Sequence, residues 1–213
     1  MSRAYMSTRS NSLRCLAAAL TLLAAHGTHA ASAVSGGGTS RELEIQDLPA
    51  GRPADGLARQ LELFGQFVGD WDLRSETYVA GRTERNVGRM HMRWILYGTA
   101  LQDVWTSDAP EQRPGLPRKS FGTTLRYFDE NAKVWRIVWV APIEGGVQTF
   151  VAREVKGQIV LDAQTSTGEK ERWIWANYTA DSFDWRSEES SDGGSTWKVT
   201  QRIWGKRQLA RSR

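Results

Sequence analysis

Phe64–Tyr78 reads "FGQFVGDWDLRSETY", and it divides the chain into two kinds of sequence. On its N-terminal side, "LARQLELFGQFVG" places Leu57, Leu61, Phe64 and Val68 at helical spacing, and Gly69 supplies a stop signal. From Trp71 onward the hydrophobic period is two. In "GRMHMRWILYG", Met90, Met92, Trp94 and Leu96 share one face, and Arg89, His91 and Arg93 share the other. A glycine between helix and strand lets the chain turn sharply, and the indole that follows is placed to plug one end of whatever the strands enclose.

The rest of the chain repeats the strand pattern. "ALQDVWTSD" follows Gly98, and "RPGLPRK" reads as a loop. "FGTTLRYFD" and "KVWRIVWVAP" flank "ENA", and "VQTFVAREV" and "QIVLDAQT" flank Lys156-Gly157. "EKERWIWANYT" and "SFDWRSEES" flank a short turn, and "SDGGS" leads into "TWKVTQRIWG". That makes roughly ten strands, each joined to the next by a short connection, so neighbours are antiparallel and the topology is a meander. A meander leaves two open edges unless its last strand pairs with its first, and closure at this strand number leaves room inside. All ten tryptophans lie between Trp71 and Trp204, which argues for one core.

The N-terminus differs in kind. Arg3, Arg9 and Arg14 precede "CLAAALTLLAA", and small residues follow. This reads as a secretory signal peptide over residues 1–30, cleaved near Ala30 or Ala33, with a periplasmic or secreted product. The apolar run is too short to span a bilayer. Residues 31–56, rich in Gly, Ser and Pro, read as a flexible linker; 57–207 as the barrel domain; 208–213 as a basic tail continuing Lys206 and Arg207. The chain's formal charge is +4, and the leader holds three arginines and no acid, so the remainder is near +1. Such a balance gives no support to nucleic-acid binding. Cys15 is the only cysteine and lies in the leader, so no disulfide, thiol nucleophile or cysteine metal ligand is expected.

Helix, G-x-W and a strand meander resemble the lipocalin-like (calycin) barrels. "FVGDW", "YGTALQDVW", "TLRYFDENAKVWRIVWV" and "STWKVTQRIW", in that order, are most similar to an uncharacterised bacterial lipocalin-like family distantly similar to nitrobindin. The resemblance implies an all-β, roughly ten-stranded antiparallel barrel with a short N-terminal helix and a pocket; it implies no settled activity. Haem-holding members use a histidine on a late strand. Here His91 is the last histidine and lies on an early one, so no haem, other cofactor or metal is expected.

The barrel-closing residues are read as Gly69, Trp71 and an arginine of the last strand lying across the indole, Arg202 first and Arg207 second. The pocket candidates are Met92, Trp94, Trp135, Trp139, Phe150, Trp173, Trp175 and Trp185, inward aromatic and apolar side chains suited to a small hydrophobic or aromatic molecule. No catalytic triad, phosphate loop or metal-spaced cluster is present in the sequence. Glu169 and Glu171 share one strand face, which does not supply acids from facing walls. "SSDGGSTW" (Ser190–Trp197) resembles a turn of repeat sialidases but occurs once, and reads as an Asp-Gly hairpin. Three functions remain: a ligand-binding barrel; an enzyme using general acid–base chemistry on a carbonyl or ring substrate, with His91, Arg93, Asp103 and Arg126 as candidates; and an interaction module with a filled barrel. The oligomeric state is not legible.

Overall fold

A computed structural model describes residues 49–108, 119–143, 145–163 and 169–208. The expected leader and cleavage site, the expected linker up to residue 48, the "RPGLPRK" stretch up to Arg118 and the expected tail beyond Gln208 lie outside the described residues. A two-residue strand β1 (Pro49–Ala50) and a helix α1 (Ala58–Gly65) precede β2 (Gly69–Val79), β3 (Arg82–Ile95), β4 (Ala100–Asp108), β5 (Lys119–Asp129) and β6 (Val134–Ala141). Then come β7 (Gly146–Val155), β8 (Gln158–Ala163), β9 (Lys170–Ala176), β10 (Ser182–Ser190) and β11 (Lys198–Arg207).

Strands β2 to β11 pair in sequence order, all antiparallel, and β11 pairs back onto β2 with Arg207 opposite Trp71 and Ile203 opposite Ser75. The expected ten-stranded meander is therefore closed. Short turns enforce it: at Lys156-Gly157 both residues have positive φ, as a two-residue hairpin whose twist matches its strands requires. Among the described residues no helix is long and apolar enough to cross a membrane.

The period-two reading of β3 holds for Met90, Met92 and Trp94, all buried, and for Arg89, His91 and Arg93, all exposed. It fails at Leu96, which is exposed and has φ of 49°. The strand ends at Ile95, and Leu96–Gly98 form a single tight turn. Gly98 sits against the segment before α1: a Cβ there would lie 2.4 Å from the Arg52 carbonyl. The same contact corrects the linker reading for residues 49–56. Pro49 and Ala50 pair with Ile95 and Trp94, and the Ala54 N–H donates to the Gly98 carbonyl.

Helix α1 is shorter than its hydrophobic spacing suggests, ending at Gly65. Eight residues without a side-chain N-cap gain little from propensity, so tertiary packing must hold them. Leu61 and Phe64 are fully buried, as is Phe67 just past the helix. Phe64 meets Trp135 edge-on at 4.9 Å and Phe67 lies 4.5 Å from Trp175. The helix thereby caps one end of the barrel.

Trp71 is fully buried at that end, and its Nε1–H donates to the Phe67 carbonyl at 2.8 Å. Arg207, and not Arg202, covers it. The Arg207 guanidinium lies 4.2 Å from the indole centre and donates to the carbonyls of Val68, Gln66 and Ala180. Parity explains the correction. Ile203, Gly205 and Arg207 carry the inward phase of β11, whereas Arg202 is exposed opposite Glu76 and Arg186. The glycine of G-x-W has a second reason beyond its φ of 140°: a Cβ at Gly69 would sit 2.4 Å from Arg207 Nη1. Arg207 is thus a clamp of the barrel end, not part of a solvated basic tail.

Candidate functional site

Inward side chains away from α1 leave a cavity of about 170 Å³ that opens to solvent. Its wall is a chain of rings. Trp105 meets Trp139 at 6.3 Å, Trp139 meets Trp173 at 5.9 Å, and Trp173 meets Trp185 at 5.3 Å, all edge-on. Trp175 and Phe183, 4.6 Å apart, continue it toward the capped end. Trp139 reaches across β5 because Gly122 lies beneath it: a Cβ there would be 2.2 Å from the indole.

Of the eight pocket candidates, Trp139, Trp173, Trp175 and Trp185 border this cavity. Met92, Trp94, Trp135 and Phe150 do not; they are buried in the packed core. Trp135 is held against Phe64, Trp94 passes within contact of Gly65, and Phe150 backs Trp173 at 4.2 Å. Period-two parity identifies inward side chains, but a second coordinate, distance along the barrel from the helical cap, decides which of them meet open space.

The cavity has a polar member that the aromatic pattern did not predict. Asp103 on β4 and Arg126 on β5, 3% and 2% exposed, form a buried ion pair on its lining. Asp103 Oδ2 accepts from Arg126 Nη2, and Oδ1 accepts the Thr124 backbone N–H at 3.3 Å. Among the described residues Arg126 Nη1 reaches the Met92 sulfur, at 3.5 Å, and the guanidinium lies 5.0 Å from the centre of the Phe64 ring. Arg126 Nε and Trp105 Nε1 are buried without a hydrogen-bond partner among the described residues. Trp105 was missed as a lining residue, though it shares the inward phase of β4 with Leu101 and Asp103.

The other acid–base candidates are outside. His91 Nδ1 lies 2.8 Å from Asp70 Oδ1, and Arg93 donates to the same oxygen at 2.5 Å, on the exposed face. The His91 hydrogen bond, opposed by partial burial and joined by Arg93, holds the Asp70 carboxyl below its ordinary range. Glu171 is committed structurally: it accepts from Trp173 Nε1 at 2.6 Å, from Gln148 and from Ser187. Its cross-strand neighbour Glu189 is pushed up by burial and by the Glu171 charge. These two acids stand on adjacent strands of one wall, which is not the facing-wall geometry of a glycosidase.

Ser190–Trp197 is a more elaborate turn than an Asp-Gly hairpin. The Asp192 carboxylate accepts from the Ser190 and Thr196 hydroxyls and from the Ser195 and Thr196 N–H groups. Trp197 Nε1 closes the turn on the Gly194 carbonyl, and Arg172 stacks on the indole at 3.8 Å. Led by the Thr196 hydroxyl and N–H, these donors hold the Asp192 carboxyl far below its ordinary range.

No protein-family model matches the chain, and no curated protein does. Among solved structures it is similar to the S-type phycobiliprotein lyase CPES from Guillardia theta, with a TM-score of 0.48 and 13% identity, over 70% of this chain and 92% of that one. The expected family resemblance therefore has no support from sequence comparison.

Proposed function

We propose that this barrel binds a small, largely aromatic or apolar molecule in the Trp105–Trp139–Trp173–Trp185 cavity. One observation carries the reading: the interior is not filled, and the open space is walled by indoles. Flat apolar walls with a few polar groups are the usual make-up of small-molecule pockets. Its size bounds the occupant, since an apolar cavity of about 150 Å³ accepts benzene; a substituted single ring fits inside, and longer substituents pass through the mouth. Titration of the full chain with single-ring compounds, followed by tryptophan fluorescence and amide NMR shifts, tests this. Saturable changes at cavity residues support it; no response to millimolar concentrations of any of them would reject it.

A second reading, a pocket enzyme, is favoured by one feature: Asp103 is a buried carboxylate on the cavity lining. Both its oxygens already accept hydrogen bonds, so a base role is left only the lone pairs that Arg126 and Thr124 do not use. The binding reading asks nothing of Asp103 beyond this pairing. We also propose export, on the strength of the N-terminal leader pattern.

A further inference from the structure

The Asp103–Arg126 pair bears on what the occupant carries. Arg126 has five N–H donors; two of them are engaged, one by a carboxylate and one by a weakly accepting sulfur, and Nε has no partner among the described residues. Trp105 Nε1 on the same lining has none either. Buried donors without acceptors are costly, and an occupant that supplies one removes the cost. The sign of the acceptor follows from Asp103. The pair is already neutral, so an anionic head group would add an uncompensated buried charge beside a carboxylate. A neutral carbonyl oxygen adds none and offers two lone pairs.

We propose that the ligand is a small ring compound bearing a neutral hydrogen-bond acceptor, a carbonyl, recognised by Arg126 and Trp105. This rests on the cavity reading above. Both nitrogens are covered by neighbouring atoms, so engagement asks the half-buried Trp105 ring and the Arg126 side chain each to shift when the ligand enters.

Acetophenone, cumene and benzoate match in heavy-atom count and differ only in the head: neutral acceptor, none, and anion. Their affinities for the full chain and for Trp105→Phe are measured by NMR titration, with the Trp105 Nε1–H and Arg126 Nε–H resonances followed directly. Acetophenone is expected to shift both resonances and to bind about tenfold or more tighter than benzoate. In Trp105→Phe, acetophenone should lose on the order of fivefold more affinity than cumene does. Equal losses for the two, unshifted side-chain resonances on acetophenone binding, or benzoate as tight as acetophenone would each overturn the inference while leaving the cavity reading standing. Should none of the three bind at millimolar concentration, the cavity reading falls and the inference falls with it. Should Trp105→Phe unfold, the wild-type resonances and the acetophenone–benzoate comparison still decide.

Discussion

Replacing Arg207 by alanine should cost the barrel much of its margin. The side chain donates to three backbone carbonyls, two of them at 2.7 Å. At about 1 kcal/mol net for each, a value suited to a half-exposed group, the bonds amount to ~2–3 kcal/mol. Stacking over Trp71 adds about 1 kcal/mol. The expected loss is therefore ~3–4 kcal/mol out of the ~5–15 kcal/mol available to a domain of this kind. Arg202→Ala, the same chemistry five residues earlier on the exposed face, should change stability by no more than ~0.5 kcal/mol. Urea unfolding of the full chain, followed by far-UV circular dichroism, measures both. A cycle with Trp71→Leu isolates the stacking contribution, because a leucine keeps bulk at the barrel end and lets the variant fold where alanine risks losing ~3–5 kcal/mol. The two substitutions should couple by about 1 kcal/mol. Additive losses, or an Arg202 variant as damaging as the Arg207 one, would refute the clamp.

Asp103→Ala should destabilise by ~3–5 kcal/mol by leaving Arg126 charged and buried, whereas Asp103→Leu combined with Arg126→Met should recover most of that loss; denaturant midpoints separate the two. The Asp192 carboxyl has its folded-state pKa depressed, so its contribution is complete above about pH 4 and is lost as pH falls through the folded-state value; unfolding free energies between pH 5 and 2.5 should fall less steeply for Asp192→Asn than for the parent. Gly122→Ala should push the Trp139 indole into the cavity and weaken binding of acetophenone and cumene together, which a titration reads directly. Intact-mass measurement of protein recovered from the cell envelope should show an N-terminus near Ala31 or Val34, and a full-length mass there would contradict export.

Much of the fold was legible because a strand's two faces alternate strictly, and a ten-strand meander has few ways to hide its edges. The same alternation, carried along β11 from Ile203, already distinguishes Arg207 from Arg202. Leu96 was misread because the turn there depends on Gly98 meeting the Arg52 carbonyl, a contact between segments with no local trace. The site was half legible. Indoles on inward faces announced the lining, but the position of the helical cap set which of them pack, and that is a tertiary fact. Asp103 and Arg126 were each visible as candidates. Their pairing was not, because it joins diagonal positions on neighbouring strands, Asp103 facing Thr124 directly.

The seam between β11 and β2 also has a temporal meaning. Arg207 and Val68, whose carbonyl it holds, are 139 residues apart. At a synthesis rate of ~5–20 residues per second, the edge of β2 is made on the order of 10 s before the strand that covers it. For that interval Trp71 and Leu73 belong to an unclosed sheet, the state in which strand edges recruit other chains. A cell making this protein therefore handles a nascent chain whose last strand is its lock, and a chaperone or a translocation channel that keeps β2 occupied until Arg207 emerges would serve it better than any gain in final stability.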